Sequence, residues 1–223
     1  MKNSILLICI LLLSFSCGQL EKKQEPTINA EQVIIKKRYK NTSHIVNTYP
    51  DSLVIYANET EKLAIGQPAV YQAMAAYIRG ASYQNVSNYE LSKKYFEKTI
   101  ALLDGAKHNA IKARAYIGLA NNHKNTGDYP KAFGYIYKAL KIYEKNKFKN
   151  GISSAYVCMA QIYLQKNDIE STEENLKKAL GIMGDNKYNQ QYLIASHTLA
   201  NVYGMEGDYK NALKIDEEGI SIC

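Results

Sequence analysis

The sequence predicts an all-α protein, a solenoid in which antiparallel helix pairs stack one after another. Three observations predict it: columns of similar residues that recur every 40 positions, apolar residues at helical spacing within each recurrence, and short polar segments between the helices. The composition fits a folded chain, since 46% of the 223 residues are hydrophobic and 22% are charged. These proportions exclude a disordered polymer, a collagen-like rod and a multi-span membrane protein.

Small and aromatic residues define the repeating columns. One column holds only the smallest side chains: Gly80, Ala120, Ala160 and Ala200. Another holds mainly tyrosine: Tyr83, His123, Tyr163 and Tyr203. An interval that is kept without a gap over several copies indicates structural repeats, because chance helical periodicity would drift over this length. The recurring columns also account for much of the surplus of tyrosine, with 19 Tyr against 4 Phe and no Trp.

Each copy is predicted to contain two helices joined by a tight turn. In the third copy, Tyr116, Leu119, Ala120 and His123 share one helical face. Gly127 suits a left-handed residue that ends this helix, and Asp128 suits the N-cap of the next one. Pro130 fits the first turn of that second helix, where no backbone donor is needed.

The N-terminus is predicted to be a targeting segment and not part of the fold. Lys2 precedes an apolar run from residue 5 to residue 13, which is too short to span a bilayer. The segment resembles a bacterial lipoprotein signal, which implies that residues 1–16 are removed and that Cys17 receives the lipid. An ordinary cleaved signal is the alternative. Polar residues 17–31 are then a tether, and the resemblance places the protein in the cell envelope of a bacterium, lipid-anchored at a membrane or in the periplasm.

The repeat pattern resembles the tetratricopeptide repeat. The matching signature runs from Tyr116 to Leu140 and includes Leu119-Ala120 and Gly127-Asp128-Tyr129; it recurs 40 and 80 residues later. The interval is longer than the usual period of about 34 residues, as in the subfamily of kinesin light chains and bacterial peptide-sensing regulators. The resemblance implies a right-handed superhelical solenoid. Its predicted copies are a degenerate one at 32–72 and others at 73–112, 113–152, 153–192 and 193–223.

This resemblance implies a scaffold that is not an enzyme and that holds a peptide or protein segment along a concave face, lined by the first helix of each pair. The first helix already buries one face, so the side chains between are expected to point into the groove. The candidate groove residues are Arg114, Ile117, Asn121, Lys124, Asn125, Val157, Gln161, Gln165, His197 and Asn201.

Asn121, Gln161 and Asn201 form the most suggestive column. A side-chain amide both donates and accepts, so successive amides can pair with the main chain of an extended peptide. The resemblance implies such contacts for Asn121 and Asn201, whereas Gln161 is longer by one methylene. Solvated polar residues on a helix face are the alternative. The basic pair Arg114 and Lys124 occurs in one copy only, so we expect a ligand of mixed apolar and polar side chains.

Other chemistries find no support in the sequence. No zinc motif, phosphate loop or nucleophile elbow is present, so no cofactor or metal is expected. His123 is interpreted as a core residue and Cys158 as a buried, unreactive thiol. The net charge of +7, or +6 without residues 1–16, is expected to lie on outer helix faces, and a nucleic-acid partner is not expected.

The last copy is not followed by a polar capping helix. Leu213 and Ile215 would ordinarily pack on a further helix pair. Two hypotheses remain open: an end-to-end homodimer, or the extracytoplasmic sensor portion of a longer signalling or transcriptional regulator.

Overall fold

The computed structural model of the protein describes residues 28–105, 109–184 and 190–220. The predicted signal at 1–16, the lipidation candidate Cys17 and most of the predicted tether lie outside these ranges. Within them the chain is helical and contains no strand.

In the described ranges, ten α-helices follow one another in five pairs. The pairs are α1 (Ala30–Thr48) with α2 (Leu53–Leu63), α3 (Ala69–Asn85) with α4 (Tyr89–Leu102), α5 (Asn109–Asn125) with α6 (Tyr129–Lys145), α7 (Lys149–Gln165) with α8 (Ile169–Met183), and α9 (Gln190–Met205) with α10 (Tyr209–Ile220). A short 3₁₀ turn at Pro50–Ser52 joins the first pair. The predicted solenoid of antiparallel helix pairs is confirmed for these ranges.

The turn between the helices of a pair uses the same chemistry in successive copies. The Asp128 carboxylate accepts a hydrogen bond from the Lys131 backbone N–H at 3.3 Å, as expected of an N-cap. Gly127 has φ of +78°, and Pro130 lies in the first turn of α6, so both local predictions are confirmed. The Asp128 N–H also donates to the His123 carbonyl at 2.8 Å, which closes the preceding helix.

The first helices of the pairs form the inner layer of the solenoid. Each contacts the first helix of the next pair, from α1 through α3, α5 and α7 to α9. Consecutive second helices make no comparable contact within the described ranges, because each one packs instead on the first helix of its own pair and of the next. The layer whose members touch is the concave one, so the groove is lined by the first helices.

The hydrophobic core is continuous from pair to pair. Leu119 and Ala120 are buried, as are their equivalents Met159, Ala160, Leu199 and Ala200. The stripe of α6 contributes Ala132, Ile136 and Ala139, each fully buried. In the described part of the chain, no helix combines the length and apolar character that a bilayer crossing requires.

Candidate functional site

Two adjoining cavities lie along the concave face. The larger has a volume of about 450 Å³ and the smaller about 270 Å³. Both are lined by Ser43 of α1, Tyr77 of α3 and Gln191 of α9, so the first and last helix pairs both border the same space. The superhelix therefore curls far enough for its first and last pairs to approach each other across the groove.

Arg114 and Ile117 line the larger cavity from α5. Both side chains are partly buried. Ser154, the residue equivalent to Arg114 in the next pair, lines it from α7. The N-terminal halves of α5 and α7 thus line the larger cavity, in the same columns as the candidate residues.

The amides of the predicted column each have one contact inside the protein. The Cys158 thiol donates to Asn121 Oδ1 at 3.3 Å, and the Lys124 ammonium donates to Gln161 Oε1 at 2.5 Å. Asn201 Nδ2 lies 3.2 Å from His197 Nε2. A primary amide has two donor hydrogens and an acceptor oxygen, so each retains hydrogen-bonding capacity after these contacts.

The remaining polar candidates lie toward the C-terminal ends of the first helices or on the last pair. Asn125 and Gln165 are exposed at the ends of α5 and α7, and His197 is exposed on α9. None of these three borders either cavity. Of the ten candidates, the structure therefore brings only Arg114 and Ile117 to the lining of the larger cavity, and none to that of the smaller.

Val157 is placed differently from the expectation. Only 5% of it is exposed, and it packs with Ala160 of its own helix and Leu199 of α9 in a buried cluster. The reason is that the next first helix, α9, packs on this position of α7, so Val157 belongs to the core between the two pairs. A direct contact between Val157 and a groove ligand is therefore not supported.

Several cavity residues lie outside the predicted set. Tyr77, Ala81, Gln84 and Asn85 occupy, one copy earlier, the positions of Ile117, Asn121, Lys124 and Asn125, and all four line the smaller cavity. Extending each column back by one copy identifies them. Lys40 and Ser43 also line the larger cavity, but they come from α1, where the degenerate repeat offers no column to follow.

Burial shifts the pKa of two titratable side chains near the groove, Cys158 and His123. Cys158 is buried, and burial raises the pKa of its thiol to about 11, which keeps it protonated at neutral pH. Burial lowers the pKa of His123, whose ring stacks on Tyr135 with 5.5 Å between centroids. The described residues contain no group of three or more His, Cys, Asp or Glu side chains suited to a metal ion.

Comparison with known proteins matches two stretches of the chain to a repeat family. Residues 71–145 and residues 153–186 each match a model described as tetratricopeptide repeat. Among curated protein sequences, none matches this chain significantly.

Solved structures of several proteins share the fold. A Rap protein complexed with competence and sporulation factor superposes with a TM-score of 0.72 at 16% identity, over 87% of this chain and 55% of that one. The Rap conjugation gene regulator of plasmid pLS20, in complex with the Phr* peptide, gives 0.72 at 15% identity, over 100% of this chain and 65% of that one. A putative kinesin light chain from Podosopora anserina gives 0.56 at 12% identity, over 84% and 93%.

The two Rap proteins are longer than the part that this chain matches, and at these identities the likeness concerns the fold. The family models and the structural neighbours agree on the same architecture of stacked helix pairs. The chain therefore carries tetratricopeptide repeats at residues 71–145 and 153–186 and has the fold of a tetratricopeptide-repeat solenoid.

Proposed function

We propose that this protein is a non-enzymatic scaffold that binds an extended peptide or protein segment in its concave groove. The observation that carries the proposal is the pair of adjoining cavities, which the first helices of all five pairs line between them. The larger cavity, at about 450 Å³, lies within the range of about 300–1,000 Å³ that is typical of ligand pockets. Two neighbours with the same fold were solved in complex with competence and sporulation factor and with the Phr* peptide, which supports a peptide ligand.

The amide column supplies the hydrogen bonds for such a ligand. An extended segment presents alternating N–H and C=O groups, and an amide side chain can pair with either. Asn121 and Asn201 lie two repeats apart on the inner layer, so together they hold a segment that runs along the solenoid. The contacts described above use Oδ1 of Asn121 and Nδ2 of Asn201, and each leaves the other polar atom of its amide for the ligand.

Replacing both Asn121 and Asn201 with alanine is expected to weaken peptide binding by at least about tenfold, because two ligand hydrogen bonds are lost. The probe is a peptide selected from a random synthetic library by the purified wild-type chain, and its affinity is measured by fluorescence anisotropy. Asn211→Ala is the matched control, since Asn211 is exposed on the outer helix α10. Equal affinity of the double variant and the control would refute the groove assignment.

Export and lipid anchoring are the second part of the proposal. The basic start, the short apolar run and Cys17 support a lipoprotein signal that takes the chain to the bacterial cell envelope. The lipid would hold residue 17 at a membrane, and the polar tether would let the solenoid stand clear of it.

Cys17→Ser is expected to release the protein from the membrane fraction, since serine cannot accept the thioether-linked lipid. Fractionation of cells followed by immunoblotting measures the shift. Cys158→Ser is the control, because Cys158 is buried far along the fold. Continued membrane attachment of the Cys17 variant would contradict the anchor, while leaving the groove proposal untouched.

A second candidate function is the sensor portion of a longer regulator. One structural neighbour is itself a conjugation gene regulator, and this chain covers 65% of it. On the last described pair, Met205, Tyr209 and Leu213 are 65%, 68% and 62% exposed, which leaves an apolar face for a further module or for a second copy in an end-to-end dimer. Whether the reading frame continues beyond Cys223 distinguishes a longer regulator from the scaffold. Light scattering of the purified chain distinguishes a dimer from a monomer.

A further inference from the structure

The protein contains three arginines, and they differ in whether an acidic side chain pairs with them. Arg38 pairs with Glu59 at 2.6 Å, and Arg79 pairs with Glu61 at 2.5 Å. Arg114 forms no ion pair with any described carboxylate. A guanidinium that is partly buried is normally compensated by an acid, because removing its charge from water is costly. Arg114 is thus the one arginine for which the described chain supplies no counter-charge.

Aromatic rings hold Arg114 in place instead. Its guanidinium carbon lies 4.5 Å from the ring centroid of Tyr39 and 4.8 Å from that of Tyr77. The two rings meet edge to face with 5.2 Å between centroids, which fixes the angle between them. Cation–π contacts of this kind position a guanidinium without neutralising it. Burial raises the pKa of two of the tyrosines near Arg114, Tyr39 and Tyr143, so these two phenols stay neutral at physiological pH.

The cavity in front of Arg114 is positively charged. Lys40 of α1 joins Arg114 in its lining, and no Asp or Glu is among the described residues that border it. The other walls are neutral and include Asn150 and Ser154, which can donate hydrogen bonds. A space lined by two cations and by no described acid favours an anionic group.

We propose that this cavity is a subsite for one carboxylate of the bound segment, held by Arg114 and assisted by Lys40. The inference rests on the proposed groove function and makes its ligand more specific: the peptide carries an acid that seats between the degenerate first repeat and the third. The guanidinium fork pairs with the two oxygens of a carboxylate, and its stacked position reduces the ordering that binding requires. The first repeat is then a wall of the binding site and not merely an end of the array.

Selection from two synthetic random peptide libraries tests this, one with free C-terminal carboxylates and one with amidated C-termini. The wild-type full chain is expected to select peptides with an acid at one place. If the acid is an Asp or Glu side chain, both libraries yield it; if it is the C-terminus, only the free-acid library yields binders. For a selected peptide, replacing the acid by its amide is expected to lower affinity by about tenfold to a hundredfold.

Arg114→Gln is expected to bring the ratio of the affinities for the acid peptide and its amide close to one. Lys40→Gln is expected to reduce this ratio in part. Arg38→Gln is the matched control, because Arg38 lies on α1 but pairs with Glu59 of α2. Circular dichroism checks the fold, and if Arg114→Gln does not fold, the surface variant Lys40→Gln decides. An unchanged ratio in the folded variants, or no acid preference in the wild type, would overturn the subsite. Failure of the wild type to select any peptide would instead count against the groove proposal itself.

Discussion

Phe96→Ala is expected to lower the free energy of unfolding by about 3–5 kcal/mol, because it empties the most enclosed aromatic position of the described core. Phe96 is 1% exposed, and its ring is enclosed by Ala81, Ala115 and Leu119. It also packs on Tyr77, with 5.5 Å between ring centroids. Because Phe96 lies on α4 and its neighbours lie on α3 and α5, the cavity left by alanine would loosen the contact between the second and third helix pairs.

Two glycines show how tightly this ring is enclosed. A Cβ added at Gly80 would lie 2.8 Å from the ring of Phe96, and one added at Gly118 would lie 2.5 Å from it. Neither position has room for a side chain while the ring is present. The surroundings therefore cannot collapse easily onto the space that Phe96→Ala vacates, since these two positions contribute no side chains there, and the cost should lie toward the upper part of its range.

Urea denaturation followed by circular dichroism measures the change. Phe148→Ala is the matched control: it removes the same side chain from a residue that is 39% exposed, so it should cost clearly less. If Phe96→Ala destabilises the chain no more than Phe148→Ala does, the packing described for this interface is wrong.

The fold is predictable because the columns repeat without a gap. The small-residue column predicts that helices approach closely there, and Ala120 and Ala160 are indeed fully buried. Gly80 has a further reason that the column alone does not show: its missing side chain makes room for the Phe96 ring. In the following copies the positions of Phe96 hold Ile136 and Leu176, and alanine replaces glycine opposite them. A large ring opposite glycine in one copy is thus replaced by a smaller aliphatic side chain opposite alanine in the next. This exchange can be read from the sequence once the packing partners are known.

The candidate site is predictable only in part, since its shape depends on curvature. Helical periodicity fixes which residues of a helix share a face, and the choice of the first helices as the groove lining comes from the resemblance to the repeat family. How far the superhelix curls is set by side-chain volumes summed over all five pairs, and no local pattern encodes it. That sum decides that α1 reaches the cavity with Lys40. The subsite at Arg114 therefore emerges only when distant copies are brought together.

Asn122→Ala is expected to lower the free energy of unfolding by about 1–3 kcal/mol, because it leaves buried polar groups without partners. Asn122 is 4% exposed and exchanges hydrogen bonds with the fully buried Ser92, at 2.9 and 3.2 Å. The Gln84 amide donates to Asn122 Oδ1 at 2.6 Å as well. The side chain thereby joins α3, α4 and α5. Thermal and urea denaturation measure the loss.

Asn121→Ala is the control for Asn122→Ala, because the two residues are adjacent but face different surroundings. Asn121 is a groove candidate that is only partly buried, and its loss leaves only the weak S–H donor of Cys158 without a partner, so stability should change by less than about 1 kcal/mol. The pair of variants should therefore separate the two roles: stability falls at residue 122, while peptide affinity falls at residue 121. A large stability loss from Asn121→Ala would contradict this division.

The next copy of the repeat suggests which apolar residues can replace the hydrogen-bonded pair Ser92 and Asn122. There the positions of Ser92 and Asn122 hold Ala132 and Ile162, both fully buried and apolar. Replacing both members of a buried polar pair leaves no unsatisfied group, whereas replacing one does. The double variant with Ser92→Ala and Asn122→Ile should therefore be more stable than Asn122→Ala, and Gln84 keeps its bond to the Gly118 carbonyl at 2.9 Å. If the double variant is less stable than Asn122→Ala, the cost at Asn122 does not arise from stranding Ser92.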